Sequence, residues 1–232
     1  MLYEPGKSPH NLPHDPFKAC VIPRPIGWIS TISADDPSVH NLAPYSQFTN
    51  LTFDPPYVMF SANQKPNLER KDTVRNAEKT GKFVWNLATW DLREAVNVSA
   101  EQVQYGVDEF ARANLDKEWS QVLPGQKVPM VKDSPVKFEC VYHTTLRLPG
   151  NPPMGTVDVV VGKVVAVHIK DEVLTDGKLD PKKTLPIARC GYYDYTVVRE
   201  TFEMIIPGLD ESSLAGLEGS RARHQKLGQS KM

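Results

Sequence analysis

The chain lacks the features that most directly reveal a function. Its three cysteines, Cys20, Cys140 and Cys190, are far apart and odd in number, which predicts neither a disulfide framework nor a metal site. Unpaired thiols are typical of a reducing cytoplasm. The formal net charge of the 232 residues is −1, so there is no global basic field to hold nucleic acid. We therefore expect a cytoplasmic protein with no metal and no nucleic-acid partner.

Long apolar runs are also missing. No segment approaches the ~18 apolar residues that a membrane-spanning helix needs. The most apolar segment, residues 157–169, is interrupted by Asp158, Lys163 and His168. Residues 1–11 combine proline, glycine and mixed charge, without the apolar core of a secretory signal. These patterns predict a soluble protein that does not associate with a membrane.

Several well-known functional motifs are absent as well. There is no G-x-G-x-x-G after a strand and no G-x-x-x-x-G-K-[ST], which argues against a Rossmann dinucleotide domain and a P-loop nucleotidase. No H-E-x-x-H or C-x-x-C indicates zinc, and no G-x-S-x-G indicates a hydrolase nucleophile. An enzyme without these motifs can still act through a cofactor that carries the reactive chemistry.

Proline, by contrast, is abundant, with 20 prolines against 14 glycines. Proline interrupts helices and is tolerated at turns and strand edges, which favours a mostly β protein with flanking helices. The β-rich segments predict strands over residues 22–33, 39–49, 57–61, 83–89, 136–148 and 156–169. Helices are predicted over residues 67–79, 91–96 and 107–114. Because strands and helices are grouped instead of alternating, we expect one antiparallel barrel with helices at its edges.

The clearest alternation in the chain lies in residues 136–148. A period of two places apolar side chains on one face of a strand and polar ones on the other. The predicted inward set is Val136, Phe138, Cys140, Tyr142, Leu146 and Leu148, and the predicted outward set is Lys137, Glu139, His143 and Arg147. Residues 156–169 are the expected hairpin partner, in which Gly162 predicts a bulge or a close backbone approach.

Composition also suggests the domain limits. Residues 1–20 contain four prolines and predict an irregular arm, and residues 21–206 hold all the predicted strands and helices. Residues 207–232 are polar and rich in Ser, Gly, Arg and Lys, which predicts a C-terminal extension. No internal repeat is present.

Two stretches near the N-terminus have a composition suited to a phosphorylated planar ligand. Residues 24–33 read RPIGWISTIS. A ligand ring could rest near Trp28 while Ser30 or Thr31 meets its polar atoms. Taken alone, the same alternation is more typical of an ordinary strand with a core tryptophan, and both interpretations stay open at this point.

The second stretch, residues 41–48, reads NLAPYSQF. Pro44 lies inside an apparent strand and would break its hydrogen-bond ladder. Such a break would leave the N–H and C=O groups near Asn41, Ala43, Tyr45 and Ser46 free for a ligand. The alternative is a bulged edge strand without a ligand.

A third element combines Ser61, at a strand end, with Lys71, Asp72 and Thr73 in the first turns of the predicted helix. Phosphate binding needs a positive charge and hydroxyl or N–H donors, and a helix N-terminus favours an anion. Asp72 would repel phosphate, so its expected role is to orient Lys71, Arg75 or a backbone N–H. A solvated helix face is the competing interpretation.

Taken in order, these elements resemble the flavin-reductase-like family, of the flavoredoxin type, whose members bind FMN on a split β-barrel. The resemblance covers residues 20–205 and also includes FVWNL at 83–87, VAVH at 165–168 and RCGYYDY at 189–195. One departure is Gln47, where the family pattern commonly has phenylalanine.

The resemblance implies a fold, a cofactor and a set of site residues. The fold is an FMN-binding split β-barrel with peripheral helices, and the implied FMN-binding residues are Trp28, Ser30, Thr31, Asn41, Ala43, Pro44, Tyr45, Ser46, Ser61, Lys71, Asp72, Thr73, Asn86 and Arg189. His168 is the implied catalytic residue, beside the nicotinamide or the open flavin face. For Asn86, His168 and Arg189 a purely structural role stays open: a strand tie, a satisfied strand-end histidine and an ion pair, respectively.

The implied activity is hydride transfer from NADH or NADPH to FMN. The implied assembly is a homodimer that covers the flavin, with a flavin-dependent monooxygenase as a partner for reduced FMN. The main alternative is an FMN-binding electron carrier that NAD(P)H does not reduce. An enzyme resembling pyridoxamine-phosphate oxidase and a non-enzymatic ligand sensor are further alternatives.

Overall fold

A computed structural model describes residues 1–204 of the chain. Within them the strands are β1 (Arg24–Pro25), β2 (Gly27–Ile32), β3 (His40–Tyr45), β4 (Phe48–Phe53), β5 (Pro56–Asn63), β6 (Lys82–Asn86), β7 (Lys117–Trp119), β8 (Pro129–Val131), β9 (Val136–Leu148), β10 (Val157–Ile169), β11 (Leu174–Thr175), β12 (Lys178–Leu179), β13 (Ile187–Arg189) and β14 (Tyr195–Val197). The helices are α1 (Asp72–Thr80), α2 (Arg93–Val98), α3 (Glu109–Arg112) and α4 (Pro181–Thr184), with 3₁₀ turns at Phe17–Ala19 and Asp171–Val173.

The main sheet is antiparallel, with seven strands in the order β3-β2-β6-β9-β10-β5-β4. Its two edge strands, β3 and β4, are consecutive in the chain and are separated only by Ser46 and Gln47. The N–H of Ser61 on β5 donates to the carbonyl of Gln47 at 2.9 Å. The sheet therefore curls until its edges meet, which makes it a barrel and confirms the predicted mostly β, split-barrel fold with peripheral helices.

Aromatic side chains fill the barrel. Phe48 and Trp85 stack in parallel with ring centroids 5.2 Å apart, and Phe60 meets Phe83 edge-on at 5.4 Å. Gly27 faces this core, where a Cβ would lie 2.9 Å from the Phe48 ring. Glycine at this position therefore lets the aromatic layer pack against the backbone.

Gly162 on β10 meets the same core from another strand. The register between β9 and β10 shifts at Val161/Gly162. A Cβ on Gly162 would lie 2.5 Å from Cε1 of Phe83. The predicted bulge and close approach are both confirmed.

A second core lies outside the barrel, on the other face of β2. There Trp28 packs with Leu42, Val96 and Phe110, while its neighbour Ile29 belongs to the barrel core. Because β2 is buried on both faces, its alternation does not separate an inner face from a solvent face.

Strand β9 has the predicted bounds but not the predicted exposure. Lys137 and Glu139, expected on a polar outer face, are buried, whereas Leu146 and Leu148 are largely exposed. Pairing with β6 ends at Val141, so the second half of β9 extends beyond the barrel with β10 alone. The expectation for these four side chains was wrong. Their burial depends on which other segments pack against each half of β9, and not on the alternation of polar and apolar residues.

Helix α1 begins later than predicted. Residues 67–71, expected to be helical, form a turn in which the Leu68 N–H donates to the Lys65 carbonyl at 2.8 Å. Leu68 itself has a φ of +64°, which an α-helix cannot accommodate. Lys71 is consequently the N-cap residue and does not lie in the first turn. The predicted end is confirmed, since Gly81 terminates α1 in a left-handed conformation.

Other predicted bounds moved by a few residues. The predicted strand 39–49 is divided into β3 and β4 by the barrel closure, and the predicted helices 91–96 and 107–114 are found at Arg93–Val98 and Glu109–Arg112. Predicted strands 22–33 and 83–89 shorten to the bounds of β1, β2 and β6.

Residues Met1–Arg199 form one compact unit. The described residues that follow, 200–204, contain no helix or strand. The predicted extension 207–232 lies outside the described residues, so the predicted domain limits stay predictions. None of the helices within residues 1–204 is long and apolar enough to cross a membrane.

Candidate functional site

A cavity of about 690 Å³ opens where the barrel closes. This volume lies within the usual range for pockets that hold a small molecule or cofactor. Its walls come from β3 and the closing residues, the end of β5, the start of α1 and the segment between α2 and α3. The main contributors are Asn41, residues 43–47, Ser61, Asn63, Lys65, residues 71–73, Arg75, residues 99–105 and Glu109.

One wall of the cavity carries positive charge. Lys65 pairs with Asp72 at 3.0 Å, and Arg75 lies 3.9 Å from the same carboxylate. The half-buried Lys71 ammonium makes no hydrogen bond or ion pair with another residue in 1–204. Desolvation and the nearby charge of Lys65 lower the pKa of Lys71, so an anion at this wall would relieve an unfavourable environment.

The start of α1 strengthens this wall. No side chain caps the helix at Lys71, although the first N–H groups of a helix need partners outside it. Thr73 in the first turn and Ser61 at the end of β5 add hydroxyl groups to the cavity lining. A cation, hydroxyl donors and a helix N-terminus are the groups that bind phosphate.

The opposite wall is the free edge of β3. Pro44 pairs in register with Trp28, so the predicted break in the ladder does not occur. The Leu42 N–H points away from β2 and donates to Glu109 at 3.0 Å. The backbone N–H groups of residues two apart in a strand point to the same side. The nitrogen of Pro44 therefore also faces away from β2, and its missing N–H removes no hydrogen bond between β2 and β3. The expectation of a broken strand was wrong. The alternative of a bulged edge strand is correct only in part, because β3 is an edge strand whose pairing with β2 has no bulge.

A buried polar network lies behind the cavity. Asn41 donates to the Glu109 carboxylate at 3.1 Å, and the Asn41 carbonyl accepts from Thr73 at 2.6 Å and from Thr31 at 3.3 Å. Burial raises the pKa of Glu109 to about 7, against hydrogen bonds from the Leu42 N–H and Asn41 that lower it. Thr73 also bonds the buried Tyr45 hydroxyl, whose pKa is raised by burial.

Most of the predicted site residues meet at this cavity. Those that line it are Asn41, Ala43, Pro44, Tyr45, Ser46, Ser61, Lys71, Asp72 and Thr73. They come from β3, β5 and α1, which are separated in the sequence by up to about thirty residues. Thr31 does not line the cavity but holds Asn41 from behind.

Three predicted residues of the barrel wall instead bond to the protein itself. The Trp28 indole N–H donates to Ser99 Oγ at 2.9 Å, and the Ser30 hydroxyl donates to the Pro129 carbonyl at 2.6 Å. Asn86 donates to the Trp28 carbonyl at 3.1 Å and accepts from the Val131 N–H at 2.8 Å. All three are buried and absent from the cavity lining. Ser30 and Asn86 tie strands together, and Trp28 ties β2 to the end of α2.

His168 and Arg189 also lie outside the cavity lining. His168 Nε2 is 2.7 Å from the Glu139 carboxylate, at the far end of β10. The Arg189 guanidinium donates to the Tyr192 carbonyl and stacks over the Tyr195 ring at 4.6 Å. For His168 this is the satisfied strand-end histidine that the sequence left open. For Arg189 the expected ion pair is not found among the described residues, and a carbonyl hydrogen bond and a ring contact take its place.

Sequence reasoning missed two parts of the site. Glu109 follows another acidic residue in a short helical patch, and such a pair is more typical of a solvated surface. The segment 99–105 has a polar composition that resembles any loop. Only the packing of α3 against β3 brings them to the cavity, and no sequence signal would have identified them.

Known proteins match this chain over most of its length. The family described as "Flavin reductase like domain" matches residues 19–192. An uncharacterized protein from Aquifex aeolicus is 33% identical over 176 residues, which cover 75% of this chain and 84% of that protein.

Two solved structures illustrate the fold. Nitrilotriacetate monooxygenase component B from Bacillus cereus has a TM-score of 0.77 and 28% identity, covering 88% of this chain and 99% of that chain. An FMN-binding protein from Thermus thermophilus has a TM-score of 0.64 and 20% identity, covering 88% of this chain and 100% of that chain. At the lower identity the likeness concerns the fold. With three quarters of its length matched by the family, this chain belongs to the flavin reductase-like family of split-barrel proteins.

Proposed function

We propose that the protein is a flavin oxidoreductase that binds FMN in the cavity at the barrel closure and accepts hydride from NADH or NADPH. The observation that carries this proposal is the convergence of nine residues, expected from family motifs, around one cavity, together with the Lys71 ammonium, which has no hydrogen-bond or ion-pair partner among residues 1–204. Family membership supports the same class of chemistry.

The cavity chemistry fits the phosphate of FMN. Lys71 supplies a cation without a hydrogen-bond or ion-pair partner in residues 1–204, and Ser61 and Thr73 supply hydroxyl groups. Asp72 is engaged by Lys65 through both carboxylate oxygens at 3.0 Å, which reduces its repulsion of an anion. Of the partners expected for Asp72, Arg75 lies 3.9 Å away, whereas Lys71 forms no ion pair with it.

The free edge of β3 fits the polar edge of a flavin ring. Ala43, Pro44 and Ser46 line the cavity, and the edge carries backbone groups that no neighbouring strand covers. A flavin ring edge alternates donors and acceptors, which suits such a backbone edge. We propose that this edge orients the ring while Lys71, Thr73 and Ser61 hold the phosphate.

Bound FMN would supply the hydride-accepting ring. The chain's residues then need to bind and orient the two ligands, because positioning accounts for much of the rate of such a transfer. The segment 99–105 and Arg75 line the remaining part of the cavity, and we propose that they contact the nicotinamide nucleotide. The proposal gives His168 no part in the reaction, since it is bonded to Glu139 outside the cavity lining.

The proposed assembly is a homodimer in the cytoplasm that supplies reduced flavin to a partner monooxygenase. The likeness to nitrilotriacetate monooxygenase component B supports the partner. Exposed apolar side chains of the N-terminal arm, Phe17, Val21 and Ile22, support a covered surface. Sedimentation equilibrium at micromolar concentration tests the dimer, and a single monomeric species that retains FMN would contradict it.

The first experiment is an FMN titration of wild type and Lys71→Met, with riboflavin as a ligand that lacks the phosphate. Hydrogen bonds to charged groups are worth about 1.5–3 kcal/mol, so Lys71→Met should weaken FMN binding at least tenfold. Riboflavin binding should change little. Lys79→Met is the matched control, because Lys79 lies at the other end of α1 and pairs with Asp35.

Equal loss of FMN and riboflavin affinity, or no flavin binding by wild type, would overturn the proposed site. Anaerobic stopped-flow mixing of the FMN complex with NADH or NADPH then tests the reaction. A rapid loss of flavin absorbance is expected with at least one nucleotide. Absence of reduction by both would indicate the alternative of an electron carrier.

A further inference from the structure

The polar network behind the cavity has a single direction. Asn76 donates to Thr31 at 3.1 Å, Thr31 donates to the Asn41 carbonyl oxygen at 3.3 Å, and the Asn41 amide group donates to Glu109 at 3.1 Å. The Thr73 hydroxyl enters the same chain by donating to Asn41 at 2.6 Å. These four bonds therefore all point toward the Glu109 carboxylate.

This direction limits what Thr73 can offer a ligand. A hydroxyl has one proton to donate, and Thr73 gives that proton to Asn41. While Glu109 is ionised, Thr73 can therefore act only as an acceptor toward the cavity that it lines. A phosphate, which accepts hydrogen bonds, cannot use it.

Protonation of Glu109 permits the reverse direction. A neutral carboxyl group donates one hydrogen bond. The side-chain oxygen of Asn41 can accept this bond from Glu109 once the Asn41 amide group has turned over. The Asn41 NH₂ group then faces Thr73 and Thr31, and the proton of Thr73 becomes available to the cavity. Since Thr31 loses its acceptor in this arrangement, the reversal is favoured when an anion accepts from Thr73.

We propose that Glu109 is a positioning residue. Its protonation state sets the orientation of the Asn41 amide group, and that orientation decides whether Thr73 donates to the phosphate of the bound flavin. This inference rests on the proposed function and deepens it. Neither Glu109 nor its link to Thr73 belongs to the motifs that pointed to the site.

The surroundings of Glu109 place its proton exchange near neutral pH. The side chain is 6% exposed, and burial raises its pKa to about 7, with a further small contribution from Asp108. The charged and titratable groups of the elements packed around it are Asp108, which caps α3, His40 and Tyr45 on β3, and Lys117 on β7. Those around the cavity are Lys18, Lys65, Glu69, Lys71, Asp72, Arg75, Glu101 and Tyr105. Lys117 bonds both Asp108 and His40, so that group is internally paired.

The sign of the effect follows. Below pH 7 Glu109 is neutral, Thr73 donates and FMN binds tightly. Above pH 7 the ionised Glu109 accepts from the Asn41 amide group again, and Thr73 donates to Asn41 instead of the phosphate. FMN binding then weakens by about tenfold, the factor expected for one hydrogen bond to a charged group. FMN binding should accordingly be accompanied by proton uptake near neutral pH.

The experiment measures the dissociation constant of FMN at pH 6.0 and at pH 8.5 for each variant of the full chain. The quantity compared is the ratio of the constant at pH 8.5 to the constant at pH 6.0. The FMN phosphate itself titrates near pH 6, so the comparison is between ratios and not between absolute values. Glu109→Gln keeps the size and acts as a permanently neutral, donating side chain. Its ratio should be about tenfold smaller than that of wild type.

Two further variants separate the network from simple charge. Thr73→Val removes the hydroxyl but keeps the shape, and should flatten the ratio as Glu109→Gln does, while Thr73→Ser should restore it. Glu69→Gln removes another carboxylate of the same cavity, from an exposed residue that has no part in the proposed flavin or nicotinamide contacts. It should keep the wild-type ratio.

The outcomes are distinguishable. Wild type and Glu109→Gln with the same ratio would overturn the inference while leaving FMN binding intact. A wild-type ratio in Thr73→Val, or a flattened ratio in Glu69→Gln, would show that charge alone acts and would also overturn the inference. No FMN binding at either pH would overturn the proposed function itself.

Discussion

The Glu139 carboxylate organises one end of the barrel, and its replacement is the sharpest test of the fold. The side chain is completely buried and accepts from the N–H groups of Gln121, Val122 and Leu123 at 2.7, 2.8 and 2.9 Å. His168 Nε2 lies 2.7 Å away. Desolvation alone would raise the pKa of Glu139, but these hydrogen bonds outweigh it and lower the pKa.

Glu139→Gln keeps the volume and removes one acceptor. Its remaining carbonyl oxygen can still serve Val122 and Leu123, which share one carboxylate oxygen. Its NH₂ group would then face the Gln121 N–H, so that a donor meets a donor in a buried site. An unsatisfied buried group costs about 1–3 kcal/mol, and the two retained bonds lose their charge assistance. We expect unfolding free energy to fall by about 3 kcal/mol.

Urea denaturation at pH 7 followed by fluorescence measures this loss. Glu172→Gln is the control, because the Glu172 side chain is largely exposed and its ion pair with Lys170 is long, at 3.9 Å. This substitution should change the free energy of unfolding by less than about 0.5 kcal/mol. Since the pKa of Glu139 is lowered in the folded state, its advantage over glutamine should fade as the pH falls below 4.5. A loss under 1 kcal/mol at pH 7 would refute the assigned role.

Three further variants probe the two cores and the network. The free energy of unfolding of Glu109→Gln should rise relative to that of wild type by about 3 kcal/mol between pH 4.5 and a pH above 7. The reason is that the pKa of Glu109 is raised from 4.5 to about 7, and each pKa unit corresponds to 1.36 kcal/mol. A difference in denaturation that does not depend on pH would contradict this. Gly162→Ala should cost about 2 kcal/mol through overlap with the Phe83 ring, and in a double-mutant cycle Phe83→Leu should recover part of it; strictly additive losses would argue against the contact. Trp28→Phe should cost about 1–3 kcal/mol, since the Ser99 hydroxyl loses its buried donor; thermal denaturation measures the loss, and an unchanged midpoint would contradict it.

Strand alternation predicted the long hairpin well. The bounds of β9 agree with the predicted residues 136–148, and β10 begins one residue later than predicted. Long periodic segments are reliable because every residue contributes to the same signal. The start of α1 was wrong because the left-handed turn at Leu68 is a local backbone choice that composition does not reveal.

The candidate site shows the same division. Motif residues of β3, β5 and the start of α1 lie around one cavity, since a strand end and a helix start carry their side chains to the same edge, and their role in binding flavin stays a prediction. Trp28 and Ser30 were predicted for that cavity too, yet they face the second core and β8. A strand buried on both faces has the same pattern whichever face meets the ligand.

The sequence by itself determined where the strands of the main sheet lie, which family the motifs resemble and which side chains could meet a phosphate. Those properties depend on residue type and on spacing along one element. Tertiary structure alone decided that Glu109 stands behind Asn41, that His168 serves Glu139 and that Ser46 and Gln47 close the barrel beside the cavity. These contacts join residues far apart in the chain, and their partners are set by how whole elements pack, which no local pattern encodes.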